Sequence, residues 1–152
     1  MIQRIQSVFL FLSLCFFVPM FFVPVAELVY FSGEILKFDL TGFYITDLGT
    51  TTRISSQTSI KLFAILISAL TFVTIFLYKN RLLQMRLCIY NVVLLLGIAG
   101  VALLVLNNVQ DIKSVSYRLP IVFPVVCSIL HYLAFRAIRR DHFMVEALSR
   151  LR

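Results

Sequence analysis

The sequence predicts an all-α membrane protein: a bundle of four membrane-spanning helices with a small β-hairpin-like outer loop and a cytoplasmic amphipathic helix at the C-terminus. Three observations predict this class. Of the 152 residues, 61% are hydrophobic, whereas a soluble domain has about 45–50%. The charged residues, 14% of the chain, avoid four apolar runs, each close to the ~20 residues that a helix needs to cross a bilayer. Most basic residues gather at one set of ends of these runs.

We place the four spans at residues 5–26, 58–78, 86–106 and 119–138 of a single membrane domain that covers residues 1–152. The first run differs from a cleaved signal peptide, because it exceeds the 7–15 apolar residues of such a segment and no A-x-A site follows it. Pro19 and Pro24 lie in its outer half, where each should kink or end the helix. The residues of the fourth run include Pro120 and Pro124, and we expect Pro124 to bend that helix.

The basic residues predict which ends of the spans face the cytoplasm. Nine of them share one side, which also holds two acids and so carries 9 − 2 = +7: Arg4, Lys79, Arg81, Arg86, Arg136, Arg139, Arg140, Arg150 and Arg152. The other side holds five basic and five acidic residues, 5 − 5 = 0. An excess of Lys and Arg marks the cytoplasmic side. Both termini and the 79–86 connector are therefore predicted to be cytoplasmic.

The long outer loop, residues 27–57, predicts a small β-rich cap on the bundle. Residues 28–31 and 35–40 favour strands and are separated by Ser32-Gly33-Glu34, a pattern typical of a hairpin. Residues 42–46 can add a third strand, whereas 50–56 are interpreted as a loop. Residues 107–117 are interpreted as a short second outer loop. A ligand-binding lid is the alternative function for this cap.

The tail, residues 139–152, predicts an amphipathic cationic helix, since its apolar and basic residues fall on opposite sides of a helical wheel. Asp141 lies within the apolar arc, and we expect Arg81 or Arg86 to pair with it. Two partners suit the tail: anionic lipid headgroups, at ~1 kcal/mol per basic residue near the surface, or a cytoplasmic or membrane protein. Nucleic acid is not expected, because no folded binding module is present. The candidate interaction residues of the tail are Arg136, Arg139, Arg140, Asp141, Arg150 and Arg152.

Within the spans, His131 is the one clear ionisable candidate for chemistry, and Asn91 should lie at a similar inner depth. Together they form a candidate intramembrane polar site, with Ser7, Thr74 and Ser128 as polar neighbours. Two interpretations stay open. The pair can hold helices together by hydrogen bonds of ~0.6–2 kcal/mol each, or it can handle protons or contact a quinone.

The sequence contains no pattern that predicts a catalytic group, a cofactor or a metal. A nucleophile needs a base with an orienting partner, and no such arrangement is visible. Neither a phosphate-binding glycine loop nor a metal-binding motif occurs. The cysteines, Cys15, Cys88 and Cys127, lie singly in apolar runs and are interpreted as small packing residues. We therefore expect no metal and no cofactor, and we favour a protein that is not an enzyme.

Both ends of the chain resemble a known family. The start, Met1-Ile2-Gln3-Arg4-Ile5-Gln6, and the close, Arg136-Ala137-Ile138-Arg139-Arg140-Asp141 with Ser149-Arg150-Leu151-Arg152, resemble a four-span membrane family of Bacteroidota described as domain of unknown function 4293. In that family an acidic residue often follows the aspartate, and the end often reads Asp-Arg-Leu-Arg; here His142 and Ser149 occupy these positions. The resemblance implies a location in the bacterial cytoplasmic (inner) membrane and no catalytic residues.

These observations favour an integral inner-membrane protein of unknown biochemical activity with a structural, assembly or small-subunit role. Its basic tail would contact anionic lipid or a cytoplasmic partner. The alternative is a small transporter, or an intramembrane redox or lipid enzyme, that uses His131 and Asn91. Small-residue helix faces and the absence of a polar path through the spans favour the first interpretation.

Overall fold

The protein is a helical bundle that carries a five-stranded sheet at one end. The computed structural model describes residues 3–30, 34–47, 50–109 and 112–150. Its helices are α1 (Gln3–Phe17), α2 (Thr58–Phe76), α3 (Arg81–Asn107) and α4 (Phe123–Arg150). Three segments, Thr58–Phe76, Arg81–Asn107 and Leu119–Val145, are long and apolar enough to cross a membrane by length and composition. The first apolar helical segment, Ile5–Phe21, is shorter.

The first helix ends earlier than the predicted span 5–26. Helix α1 stops at Phe17, a 3-10 turn covers Val18–Phe21, and the chain enters a strand at Ala26. Pro19 lies at the start of the 3-10 turn, where its missing N–H is tolerated, and its carbonyl oxygen accepts the N–H groups of the two residues after the turn. Pro24 then disfavours helical geometry for the residue before it. The two prolines thus end the helix.

The sheet contains two strands that the sequence pattern did not predict. Its strands are β1 (Ala26–Tyr30), β2 (Ile35–Asp39), β3 (Gly42–Asp47), β4 (Thr50–Ser56) and β5 (Ile112–Tyr117). They pair antiparallel in the order β4-β3-β2-β1-β5. The assignment of 50–56 and 107–117 to loops was therefore wrong for β4 and β5, and the all-α class was too narrow. Neither strand has a strict apolar alternation, and each forms because an existing sheet offers it a free edge.

One face of the sheet packs on the bundle. Alternate residues of the strands, such as Leu28, Leu36 and Phe38, are buried in one core together with Ile60 and Ile98 of the helices. The turn after β2 is closed by Asp39, whose carboxylate accepts the backbone N–H groups of Thr41 (2.6 Å) and Gly42 (3.0 Å). Gly42 has φ 137°, a conformation that favours glycine.

The sheet's other face carries the charged residues. Glu27 of β1 pairs with Arg118, which follows β5, at 2.7 Å. Burial raises the pKa of Tyr44 above its usual value near 10, and the carboxylate of Asp39 adds to this effect. Because these charges lie on the face away from the bundle, the side of the sheet that covers the helices stays apolar.

Helices α3 and α4 are longer than the predicted spans. Helix α3 begins at Arg81, so most of the predicted 79–86 connector forms its first turns, and the turn from α2 is a short 3-10 segment, Leu77–Lys79. Helix α4 runs without interruption from Phe123 to Arg150. The fourth span and the tail are therefore one helix, because basic residues favour helix about as well as leucine does. Pro124 lies in its first turn, where proline is tolerated.

Candidate functional site

Each of the four helices contributes one buried polar side chain to a layer in the bundle core, which we call the His131 layer. Its members are Ser13 of α1, Thr71 of α2, Asn91 of α3 and His131 of α4. The side chains of Asn91 and His131 are completely buried. The structure therefore brings the two predicted residues together and adds two that sequence reasoning missed.

The helical periodicity explains why these four residues meet. Each lies three or four residues from buried apolar residues of its own helix, so it shares their inward face. These buried neighbours are Leu10 and Phe17 on α1, Ile67 on α2, Cys88 and Leu95 on α3, and Cys127 and Ala134 on α4. The spacing around Ser13 and Thr71 was therefore a usable signal for their inward position.

On one side of the His131 ring, the contacts define where its hydrogen lies. Nδ1 is 2.9 Å from the carbonyl oxygen of Cys127, one turn earlier in α4. A carbonyl oxygen only accepts hydrogen bonds, so Nδ1 carries the hydrogen and donates it. The Oγ atom of Ser13 lies 3.1 Å from the same nitrogen, and the thiol of Cys127 donates to the carbonyl oxygen of Ser13 at 3.3 Å. Helices α1 and α4 are thus joined by two polar contacts.

On the other side, Nε2 faces helices α2 and α3. It lies 3.3 Å from Oγ1 of Thr71 and 3.4 Å from Nδ2 of Asn91. The hydroxyl of Thr71 donates to the carbonyl oxygen of Ile67 at 2.8 Å, so its single hydrogen is engaged. Nε2 therefore accepts from the amide of Asn91, which also lies 3.4 Å from Oγ1 of Thr71. A neutral ring with its hydrogen on Nδ1 satisfies this whole arrangement.

One polar atom of the His131 layer is not accounted for by these hydrogen bonds. Oδ1 of Asn91 is buried and has no hydrogen-bond partner among the residues that the structure describes. A buried unsatisfied acceptor costs free energy and calls for an explanation, such as strain, a bound water or a chemical role. It is the one feature of the His131 layer that points beyond a packing function.

The adjacency of Ser13 and His131 does not make a nucleophile and base. A serine needs a base nitrogen that is free to take its proton, whereas Nδ1 of His131 donates to Cys127. Among the described residues, the side chains that contact the ring of His131 include no carboxylate. These residues also hold no cluster of three His, Cys, Asp or Glu that suits a metal. The arrangement can orient four helices and hold a neutral imidazole in place.

The other predicted polar neighbours take separate roles. Thr74 and Ser128 donate to backbone carbonyl oxygens of their own helices, at Leu70 and Val125. The carbonyl oxygen of Thr74 accepts the amide of Gln84, a buried side chain near the start of α3, at 3.2 Å. Ser7 lies six residues before Ser13, about 9 Å along α1. Ser7, Thr74 and Gln84 lie on the basic-end side of the His131 layer, whereas Ser128 precedes His131 in α4 and lies on the sheet side. None of these four residues joins the layer.

At that basic end, Asp141 has one of its two expected partners. Nη1 of Arg81 lies 3.2 Å from the carboxylate of Asp141 and also donates to its backbone carbonyl oxygen at 3.4 Å. The two side chains are 24% and 13% exposed. We call this contact the Arg81–Asp141 pair. It lies ten residues from the His131 layer along both α3 and α4, or about 15 Å.

The remaining tail candidates lie on the surface of α4 where the structure describes them. Arg136, Arg139 and Arg140 are exposed, and the guanidinium of Arg139 lies 5.5 Å from the ring of Phe143. Phe143 and Val145 are themselves about half exposed. The side chain of Arg150 and all of Arg152 lie outside the described residues. The described part of the tail thus presents basic and apolar side chains together.

Comparison with known proteins adds a family but no activity. The family model described as a domain of unknown function (DUF4293) matches residues 2–151. Comparison with curated proteins finds no match.

Proposed function

The chain belongs to the DUF4293 family, and we propose that it is a four-span protein of the bacterial cytoplasmic membrane with a structural, assembly or small-subunit role. Both termini would face the cytoplasm. The basic end of α4 would contact anionic lipid headgroups or a cytoplasmic partner. The biochemical activity of the family is unknown, so the proposal rests on the geometry of this chain.

The observation that carries the role is the closed arrangement of the His131 layer. Four helices each contribute one polar side chain, and almost all of their hydrogen-bonding groups have partners, either within the layer or at backbone carbonyl oxygens beside it. Such interhelical contacts orient helices in a membrane. A transporter or intramembrane enzyme usually places ionisable groups along a pathway, and the described layer holds a single imidazole.

The proposed topology rests on the exposed helix surfaces and on the charge distribution. Most outward residues of α2 and α3 are large and apolar, as a lipid environment requires. Helix α1 with its 3-10 turn is shorter than the other spans, and a short span can be accommodated by local thinning of the bilayer. The nine basic residues at one end supply the positive-inside signal.

Impermeant labelling tests the topology. Single cysteines, Ser114→Cys in strand β5 of the sheet and His142→Cys at the basic end, would be introduced after the native cysteines are replaced by alanine. In spheroplasts, an impermeant maleimide should label Ser114→Cys at once and His142→Cys only after lysis. The reverse pattern, or labelling of both residues from outside, would contradict the proposed orientation.

A gentle-detergent pull-down from native membranes tests the role. The full chain should retain a stoichiometric protein partner. A variant with Arg136, Arg139 and Arg140 changed to glutamine removes the basic surface without shortening α4, and Arg118→Gln is the matched control on the sheet side. Loss of the partner only in the first variant would assign that surface to a protein. Recovery of the full chain alone, with a bound small molecule, would count against the role.

A second candidate function, chemistry or transport at His131, is favoured by one observation: the unpartnered Oδ1 of Asn91 beside the ring. It predicts that His131→Asn with Asn91→Leu abolishes function while the chain still folds. Under the structural role, any functional loss in this double variant should follow its loss of stability.

A further inference from the structure

An apolar groove of about 310 Å³ opens between α2 and α3. Phe63 of α2 and Val93, Gly97 and Val101 of α3 line it, and Ser59 is its one polar lining residue. The groove lies on the outward side of two helices that are long and apolar enough to cross a membrane. It has no contact with the His131 layer, whose residues are not among those lining it.

Two glycines on this face of α3 are not explained by packing within the chain. A Cβ added to Gly97 or to Gly100 would have no atom from another part of the described structure within 4 Å. Glycine disfavours helix relative to alanine, and neither position has a neighbour that would exclude a methyl group. Glycines in membrane helices commonly let a second helix backbone approach closely. A fluid lipid acyl chain, in contrast, can pack against a helix whether or not glycine exposes the helix backbone.

The same face of α3 carries a cation, Arg86, without an ion-pair partner in the part of the chain that the structure describes. Arg86, Val93, Gly97 and Leu104 are separated by seven, four and seven residues, so they share one side of the helix, and all four are exposed. Asp141 is the only carboxylate among the described side chains at this end of the bundle, and Arg81 already pairs with it. Among the described residues Arg86 therefore has no ion-pair partner.

The charge of Arg86 indicates whether a second copy of this chain or a different protein would bind in the groove. Two copies in one membrane that meet through this face would be related by a two-fold axis along the membrane normal. Both Arg86 side chains would then lie at the same end of the same interface. Like charges at an interface disfavour the pairing, whereas a carboxylate on the partner would complement Arg86.

We propose that the α2–α3 groove docks one membrane-spanning helix of a different protein, and that this helix carries an Asp or Glu at the level of Arg86. The inference rests on the proposed small-subunit role and names its interface. Close approach would occur at Gly97 and Gly100, with side chains of the partner filling the groove. The ion pair with Arg86 would set the depth and direction of the incoming helix.

Photo-crosslinking in native membranes tests the proposal on the full chain. Benzoylphenylalanine would replace Val93 in the groove or, as the matched control, Ile129, which is 54% exposed on α4. Because Asn91 and His131 are in contact across antiparallel helices, Val93 and Ile129 lie at about the same depth. We expect one protein adduct at Val93 and none at Ile129, and sequencing of the adduct should show a membrane helix with the expected acid.

Two substitutions then probe the interface chemistry. Gly97→Leu and Arg86→Glu should each lower the adduct yield at least tenfold, whereas Lys113→Glu, which reverses an exposed cation of β5 at the other end of the bundle, should leave it unchanged. Changing the partner's acid to arginine should restore the yield of Arg86→Glu. An unchanged thermal unfolding temperature in each variant would show that the variant still folds, so that a lower adduct yield reports lost docking.

Three results would overturn the proposal: an adduct of twice the chain's mass, which indicates a second copy; lipid adducts alone; or a yield that is insensitive to Arg86→Glu. The pull-down keeps the two proposals separate. If Gly97→Leu still retains a stoichiometric partner, the small-subunit role is supported and the proposed docking in the groove is wrong. If the full chain retains no partner, both proposals are wrong.

Discussion

The His131 layer and the Arg81–Asp141 pair join the same two helices by different physics. The layer is neutral and completely buried at Asn91 and His131, whereas the pair is charged and its two side chains are 24% and 13% exposed. The two contacts are about 15 Å apart along α3 and α4. The charged pair lies at the end of the bundle and the neutral layer lies in its core. This placement is favourable, since a charged pair is less costly to place near water than in the centre of an apolar bundle.

The contrast between the two contacts shows which of them controls the stability of the bundle. In the layer, each buried polar group has few hydrogen-bond partners other than its neighbours in the layer. Removal of one side chain therefore leaves several buried groups without a partner. At the basic end the two side chains are partly exposed, although Oδ2 of Asp141 is itself buried, so water can replace part of a lost partner. We therefore expect the layer to dominate stability and the pair to adjust the register of α4 against α3.

The largest effect should come from the centre of the layer. His131→Ala removes the shared partner of Ser13, Thr71 and Asn91 and leaves a cavity, so we expect a loss of about 3 kcal/mol in unfolding free energy. Unfolding by SDS in mixed micelles, followed by helicity, measures it. His142→Ala, at the chain's other histidine, is the matched control and should change stability by less than about 0.5 kcal/mol. Equal effects at both histidines would contradict the comparison.

Charge reversal should reveal the smaller contribution of the basic end. Asp141→Arg places two cations side by side and should cost on the order of 1 kcal/mol. Adding Arg81→Asp should restore most of the loss, because the ion pair forms again with its charges exchanged. Arg86→Asp combined with Asp141→Arg is the control, since Arg86 lies on another side of α3. Rescue by Arg86→Asp and none by Arg81→Asp would mean that the pair is misassigned.

The unpartnered oxygen of Asn91 predicts a milder outcome within the layer. Asn91→Leu removes a donor to His131 but also removes the buried acceptor that lacks a partner. The two effects oppose each other, so the change should stay within about 1 kcal/mol, well below that of His131→Ala in the same assay. A loss as large as that of His131→Ala would indicate that Oδ1 has a partner essential for folding.

The smallest expected effect is a difference in how the stability costs of substitutions at the two contacts depend on ionic strength. The screening length falls from about 30 Å at 0.01 M salt to about 3 Å at 1 M. The cost of Asp141→Arg should therefore shrink by a few tenths of a kcal/mol or more as salt rises, whereas the cost of His131→Ala should not change. Denaturation in a neutral detergent across this salt range is the measurement, and a salt-dependent His131→Ala cost would argue for a charged layer.

Parts of this arrangement were predictable from local patterns. The four apolar runs placed the start of each helix to within about five residues, whereas α1 ends before its predicted span does and α4 continues beyond its predicted span to Arg150. The odd position of Asp141 in an apolar arc predicted a pair with Arg81 or Arg86. Ser13 and Thr71 were missed because serine and threonine are common in apolar helices, and spacing alone does not say which of them meet. Strands β4 and β5 were missed because neither has a strict apolar alternation, although both contain residue types that favour strands.

Local sequence patterns were sufficient to identify the class of the protein: long apolar helices, a basic end opposite a near-neutral one, and a family of unknown function. These are local or summed properties that no partner segment can change. The tertiary structure alone decided which polar residues share the His131 layer, which arginine takes Asp141, and that β5 joins a sheet begun more than eighty residues earlier. Such pairings depend on helix crossing and on a free sheet edge, and both exist only once distant segments have packed together.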